Sequence, residues 1–294
     1  MENQFSMSDD LDFQIGDIVI RLRSEANVEF ASLDRFAEFK STTTPQVHYS
    51  ISTASVTTEP SSSPVFDNEF GWRTYLESEQ WIVWARTHYR NPYMVGRYSH
   101  DFHSGEIFTT ESRQEPGRYV LPLSHPMGLH IMVNLLGTGY GLMLHSCGVV
   151  DGEHGIAFAG VSTAGKSTTA RLWNGSPDAK VLNDDRNILR KINGQFLLYG
   201  TPWPGVGGFA TAGVVPLEKL FILKHAPSNS AKRLSPAQAA AALLVRTFAP
   251  LWNAEAMKFT LQFLDELCQS IPCYELGFVP DQSAVEYVRC LPTG

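Results

Sequence analysis

The sequence lacks any surplus of positive charge. Its 294 residues include 23 Lys and Arg against 30 Asp and Glu, which gives a formal net charge of -7. Nucleic acids and anionic lipid surfaces both favour proteins rich in Lys and Arg, so neither is an expected partner. A local basic pocket around a small anion remains compatible with this balance.

Long apolar runs are also missing. No segment approaches the roughly 20 apolar residues that span a bilayer. The first residues, MENQFSMSDDLDF, show no basic stretch followed by an apolar core, which a secretory signal would require. We therefore expect a cytoplasmic protein with no membrane partner.

The few cysteines form no recognisable metal or redox pattern. Cys147 and Cys290 stand alone, and Cys268 and Cys273 are separated by four residues with no His nearby. A CxxC pair would be typical of a zinc or redox site, so this spacing favours reduced structural thiols.

What is present is the balance of an ordinary globular chain, with 43% hydrophobic and 18% charged residues. In residues 1–120, short segments alternate apolar and polar side chains, as strands with one buried face do. Such segments are Asp17–Arg23, Val47–Ser52, Trp81–Ala85, Tyr93–Gly96 and Glu106–Thr109. We expect a β-rich N-terminal lobe over residues 1–120, with the Ser/Thr/Pro stretch from Thr53 to Pro64 as a loop.

Over residues 121–294 strands alternate with helices, which predicts an α/β fold with a mixed sheet. The expected strands are Gly141–Val150, Ile156–Ala159, Lys180–Leu182, Phe196–Tyr199 and Leu217–Leu223. The expected helices are Leu129–Leu136, Lys166–Trp173, Pro236–Phe248 and Ala254–Ile271. Asp151-Gly152 is the turn of a hairpin that joins the first two strands.

The segment Gly160-Val-Ser-Thr-Ala-Gly-Lys-Ser167 matches the phosphate-binding pattern GxxxxGK[ST]. Glycines let successive amide groups point into one concavity, and the following helix adds the positive end of its dipole. Lys166 can reach the terminal phosphates of ATP, and the Ser167 hydroxyl can ligate Mg²⁺. The expected nucleotide-binding residues are Gly160, Val161, Ser162, Thr163, Ala164, Gly165, Lys166, Ser167 and Thr168. A tight strand–helix turn that merely tolerates glycine is the alternative.

An acidic pair, Asp184-Asp185, follows Lys166 by eighteen residues. Two adjacent carboxylates repel each other unless a cation lies between them. One could hold Mg²⁺ and the other could accept the proton of an attacking hydroxyl, and the sequence does not say which. An exposed acidic turn is the alternative. His145, on the strand before the loop, is either an ordinary interior histidine or a site residue.

Taken together, these residues resemble the HPr kinase/phosphorylase family, over roughly residues 125–289. Three parts carry the resemblance: the hairpin with His145, the loop Gly160–Thr168, and Asp184-Asp185 at the end of the next strand. The family shares its nucleotide-binding core with phosphoenolpyruvate carboxykinases, which implies a P-loop kinase core of that type in residues 121–294. The resemblance further implies catalytic roles for Lys166, Asp184, Asp185 and His145, and metal ligation by Ser167, Asp184 and Asp185.

One segment departs from HPr kinases, because Gly200–Gly208 contains no Arg where they carry one. Together with Arg246–Trp252 and Cys273–Pro280, this favours the relatives that phosphorylate ribosomally made precursor peptides. Trp203 in this segment either stacks on a ligand or forms a rigid corner with its flanking prolines.

We therefore expect a Mg-ATP-dependent kinase that phosphorylates a hydroxyl, Ser or Thr of a peptide or protein. A small-molecule kinase and a nucleotide-sensing protein without phosphoryl transfer are the alternatives. An intact acidic pair favours transfer, since a sensor has less need of a base.

Overall fold

Strand pairing dominates both halves of the chain. The structure, a computed structural model, describes residues 9–24, 28–56, 58–69, 71–86 and 92–292. The chain divides into two units between Leu135 and Leu136, fifteen residues later than the boundary expected from the sequence. No helix in the described residues is long and apolar enough to cross a membrane.

The described residues of the first unit contain ten strands: β1 (Asp9–Ile15), β2 (Ile18–Ser24), β3 (Phe30–Ala31), β4 (Val47–Ser52), β5 (Phe66–Asp67), β6 (Trp72–Glu77), β7 (Gln80–Arg86), β8 (Pro92–Tyr98), β9 (Ser104–Thr109) and β10 (Tyr119–Val120). Eight of them make one sheet in the order β1-β2-β4-β9-β8-β7-β6-β5, and β3 pairs with β10. The β2–β4 and β4–β9 pairs are parallel, and the other pairs in this sheet are antiparallel. All five strands expected from alternation are confirmed, and the described residues of the Thr53–Pro64 stretch contain no strand.

Helix α1 (Met127–Leu135) explains the later boundary. His130 on this helix makes a 3.0 Å hydrogen bond between Nε2 and Thr74 Oγ1 of β6. The Tyr98 hydroxyl of β8 lies 3.1 Å from Met127 Sδ. The helix therefore packs on the first sheet and belongs to the first unit.

Up to residue 292, where the described part of the chain ends, the second unit has eight strands: β11 (Leu142–Asp151), β12 (His154–Ala159), β13 (Ala179–Asn183), β14 (Arg186–Ile192), β15 (Gln195–Tyr199), β16 (Val214–His225), β17 (Ser230–Arg233) and β18 (Cys273–Phe278). Its helices are α2 (Lys166–Asn174), α3 (Pro236–Leu244), α4 (Ala254–Ser270) and α5 (Ser283–Cys290). This arrangement confirms an α/β fold with a mixed sheet.

Two long strands, β11 and β16, close part of this sheet into a ring. The ring runs β12-β11-β14-β15-β16 and returns to β12 through a parallel β12–β16 pair. β13 pairs with β11 outside the ring, and β18 then β17 continue from β16. The strand that leads into the glycine-rich loop, β12, is therefore hydrogen-bonded on both sides.

Helices cover both faces of the sheet around β12. Ala157 and Ala159 belong to a core cluster with α3 and α4, whereas Ile156 and Phe158 belong to a cluster with α2 and α5. Alternate side chains of a strand point to opposite faces, so the two clusters lie on opposite sides. Each fully buried large side chain, such as Trp173 of α2, contributes roughly 2–3 kcal/mol of stability.

Several elements differ from the sequence prediction. α3 ends at Leu244 rather than at Phe248. The reason is that Thr247 forms an isolated β-bridge with Leu144, and the Phe248 amide donates a hydrogen bond to the Met143 carbonyl. In the second unit, the strands β14, β17 and β18 and helix α5 were not expected, and in the first unit the same holds for β1, β3, β5, β6 and β10. In β14 the polar Asn187 and Arg190 are buried beside Ile188 and Leu189, so both faces of the strand are covered and the sequence shows no apolar–polar alternation.

Candidate functional site

The glycine-rich loop joins β12 directly to α2. Gly165 precedes the helix with φ of 105°, a left-handed conformation that favours glycine, and gives no side-chain cap. Within the described chain, the amides of Lys166, Ser167 and Thr168 have no hydrogen-bond acceptor. These three donors and the positive end of the helix dipole therefore face the same place, an arrangement that suits an anion.

The Lys166 side chain folds back over the loop. Its Nζ donates to the Gly160 carbonyl at 2.9 Å and to the Val161 carbonyl at 3.1 Å. Burial lowers the pKa of this ammonium below its usual value, while the carboxylates of Asp185 and Asp184 oppose that shift. The side chain is 6% exposed, so water screens its charge less than that of a surface lysine.

Asp184 lies against the start of α2 and is 1% exposed. Its Oδ2 accepts a hydrogen bond from Ser167 Oγ at 3.1 Å. The remaining donors are backbone amides: Gly205 at 2.9 Å, Gly207 at 2.6 Å and Phe209 at 3.3 Å. A buried carboxylate needs such donors in place of water, and here they fix both of its oxygens.

Asp185 turns away from Asp184 and contacts the side chains of His145 and Arg186. His145 Nε2 lies 2.7 Å from its Oδ1, and Arg186 Nη1 lies 2.7 Å from its Oδ2. Burial alone would raise the pKa of this carboxyl, but the hydrogen bond from His145 and the charges of Arg186, His145 and Lys166 outweigh it. The pKa of Asp185 is therefore below its usual value, and the group is ionised at neutral pH.

Phe248 packs beside this ion pair. Its ring centroid is 5.6 Å from that of His145, and the Arg186 guanidinium carbon lies 5.7 Å from it. Arg186 Nη1 is also 3.4 Å from the Pro204 carbonyl. An apolar ring on one side and the loop after β15 on the other hold the ion pair in place.

Asn183 sets the turn that separates the two carboxylates. Its Oδ1 accepts the amides of Asp185 at 2.7 Å and Arg186 at 2.8 Å. Its Nδ2 donates to the carbonyls of Thr201 at 2.9 Å and Trp203 at 3.1 Å. Asn183 thereby links the turn at Asp184-Asp185 to residues 201–209. This segment includes the backbone amides that donate to Asp184.

The glycines of that segment allow its close approach to the carboxylates. A Cβ added at Gly207 would lie 2.6 Å from Asp184 Oδ2, and one at Gly205 would lie 2.7 Å from Asp185 Cβ. Trp203 is 4% exposed, so it forms the rigid corner and does not stack on a ligand. Val206, between the two glycines, is 94% exposed.

The structure thus brings together most of the residues expected from the sequence. Ser167 contacts Asp184, and His145 contacts Asp185. The Lys166 side chain contacts the loop Gly160–Thr168, as the GxxxxGK[ST] pattern predicts. The oxygens of Ser167 and Asp184 are hard donors of the kind that Mg²⁺ prefers. Among the described residues, no three His, Cys, Asp or Glu side chains form a preassembled metal cluster.

Sequence reasoning missed Asn183 and His225. Asn183 directly precedes the acidic pair, and asparagine at the end of a strand is a recognised turn-forming residue, so a local signal existed. His225, whose Nε2 lies 2.9 Å from the Thr163 carbonyl, comes from a strand that follows the loop by many residues. No local pattern could have linked those two residues.

Comparison with known proteins gives little further information. No family model matches the sequence, and no curated protein matches it. Among solved structures, the HPr(Ser) kinase/phosphatase from Coxiella burnetii aligns with 50% of this chain and 93% of its own. The two share 14% sequence identity, with a TM-score of 0.28, which is too low to transfer a fold or a residue role.

Proposed function

We propose that this chain is a Mg-ATP-dependent kinase of the HPr-kinase-like type, which transfers the γ-phosphoryl group to a hydroxyl. The observation that carries the proposal is the contact between Ser167 of the glycine-rich loop and Asp184 of the acidic pair. This contact brings together two oxygens of the kind that Mg²⁺ prefers, next to backbone amides that can bind phosphate. The ionised carboxylate of Asp185 follows directly in the chain.

The triphosphate occupies the loop Gly160–Thr168. The free amides at the start of α2 bind its phosphate oxygens. Lys166 gives up its hydrogen bonds to the carbonyls of Gly160 and Val161 and binds the terminal phosphates instead. Ser167 and Asp184 would hold Mg²⁺, directly or through water. Two protein ligands are sufficient, because Mg²⁺ keeps several waters and takes the rest of its ligands from phosphates. Held there, the ion would supply positive charge that offsets the charge developing on the γ-phosphoryl group.

We assign the role of general base to Asp185 and the role of metal ligand to Asp184. Asp184 is held by four donors including Ser167, whereas Asp185 is ionised, more exposed and paired with His145. The acceptor oxygen bonds to the γ-phosphorus, and the bond to the bridging oxygen breaks, so the electron pair leaves with ADP. The acceptor proton passes to Asp185, and His145 and Arg186 orient this carboxylate.

The acceptor is Ser or Thr of a peptide or protein. Two apolar groups support a peptide or protein acceptor. One is the Phe248 ring beside the ion pair of Asp185 and Arg186, and the other is the exposed Val206 between Gly205 and Gly207. A peptide offers apolar side chains beside its hydroxyl, which a small polar metabolite lacks. The sequence resemblance to kinases of ribosomally made peptides points the same way.

The test follows ADP formation and phosphate incorporation with Mg-ATP, first alone and then with Ser- and Thr-containing peptides. Asp185→Asn is expected to reduce transfer by about 10²–10⁴-fold while leaving nucleotide binding nearly unchanged. Lys166→Ala is expected to weaken nucleotide binding itself, by about tenfold or more.

Asp178→Asn is the matched control, since Asp178 is an exposed aspartate of the same unit outside the site. It should behave as wild type in both assays. Transfer that survives Asp185→Asn would refute the base assignment. A wild-type protein that binds no nucleotide would refute the proposed function as a whole.

A further inference from the structure

The glycine-rich loop contacts the C-terminal ends of two parallel strands, β16 and β18. His225 and Phe278 are the last residues of β16 and β18, and they are register partners in that pair. His225 Nε2 lies 2.9 Å from the Thr163 carbonyl oxygen. Because a carbonyl can only accept, Nε2 carries the hydrogen and donates it.

Phe278 limits the loop at a second point. A Cβ added at Gly165 would lie 2.7 Å from Phe278 Cζ, so the ring fills the space directly beside this glycine. Gly165 also has φ of 105°. The ring and the backbone conformation together require glycine where α2 begins.

Thr163 itself adopts an uncommon backbone conformation. Its φ is 68°, in the left-handed region that a β-branched residue rarely enters. The peptide group after it is fixed at both ends, since its carbonyl accepts from His225 and its amide, on Ala164, donates to the Val161 carbonyl at 3.2 Å. The hydrogen bond from His225 therefore stabilises an uncommon conformation of Thr163, together with the bond from the Ala164 amide.

We propose that His225 is a positioning residue for the nucleotide triphosphate. It fixes the plane of the Thr163–Ala164 peptide group, and thereby the direction of the loop amides that follow it. This inference rests on the proposed function, because it concerns binding of Mg-ATP by the same loop. His225 acts through the loop and transfers no proton.

The experiment measures Kd, KM and kcat for Mg-ATP with wild type, His225→Ala, His225→Gln and Lys224→Ala. Loss of the hydrogen bond in His225→Ala is expected to raise Kd and KM about tenfold, with kcat within about twofold of wild type. A Gln side chain can place an amide donor near the position of Nε2, so His225→Gln should recover most of the affinity.

Lys224→Ala is the matched control. Lys224 is the neighbouring exposed residue of β16 and forms a 2.7 Å ion pair with Glu275, away from the loop. It should leave Kd, KM and kcat unchanged. His225 is exposed, so its replacement should not unfold the chain.

The outcomes separate this inference from the proposed function. Wild type that binds Mg-ATP, with His225→Ala binding equally well, overturns the role of His225 alone. Weakened binding in His225→Ala that Gln does not restore also overturns it. If wild type binds no Mg-ATP, the proposed function fails, and this inference fails with it.

Discussion

Acid should weaken the first unit through the buried His130. This side chain is 2% exposed, and burial lowers its pKa from 6.5 to about 3. Asn134 Nδ2 lies 3.1 Å from His130 Nδ1 and can only donate, so Nδ1 accepts. The proton then sits on Nε2, which donates to Thr74 Oγ1. The neutral ring satisfies both contacts, and a protonated ring would lose the one with Asn134.

The size of the effect follows from this pKa shift. Between pH 6.5 and about 3 the unfolded chain binds a proton on His130 that the folded chain does not. Stability therefore falls as pH falls through this window, by up to about 1.4 kcal/mol per pH unit. Integrated from pH 8 to pH 5, His130 alone accounts for a loss of about 2 kcal/mol.

Hydrogen exchange read by mass spectrometry on the peptide spanning 127–135 measures the stability of this unit in the full chain. His130→Gln does not titrate, so its free energy of unfolding at pH 8 and pH 5 should differ by about 2 kcal/mol less than that of wild type. Every other titrating group cancels in this comparison. Equal pH dependence in the two proteins would show that His130 is not held neutral by burial.

Two further predictions concern the acidic turn. Gly207→Ala places a methyl group 2.6 Å from the Asp184 carboxylate, which its four donors prevent from moving, so phosphoryl transfer should be lost in the peptide assay. Gly175→Ala, where a Cβ meets nothing closer than 3.6 Å, should leave transfer intact, and equal activity of the two variants would contradict this account. Asn183→Ala leaves buried amides and carbonyls without partners and should lower the free energy of unfolding in urea by roughly 2–4 kcal/mol. The exposed Asn174→Ala is its control, with an expected change within about 0.5 kcal/mol, and a similarly small loss in Asn183→Ala would show that its hydrogen bonds are dispensable.

Local patterns in the sequence were sufficient for much of the fold. The helix expected from Lys166 to Trp173 is α2, and the expected hairpin joins β11 to β12 in antiparallel register, with its turn at Gly152-Glu153, one residue later than expected. Ser235 caps α3 and forms a capping box with Gln238. In each case the determining residues are neighbours in sequence, so the signal was complete in a short window.

Tertiary contacts decided what the sequence could not show. The C-terminal end of α3 was wrong because Thr247 pairs with Leu144, far away in the chain. The separate surroundings of Asp184 and Asp185 depend on amides of the segment after β15, and a backbone amide has no residue-type signal. The proposed roles of these carboxylates stay predictions until nucleotide binding and phosphoryl transfer are measured.

The ring of strands in the second unit has a consequence for solubility. Because β12 is paired on both sides, the sheet ends instead at β13 and β17, which have five and four residues. The side chains of Lys232 and Arg233 on β17 are exposed. Short edges that carry like charges resist pairing with another copy of the chain, so this unit is protected against aggregation through its strand edges.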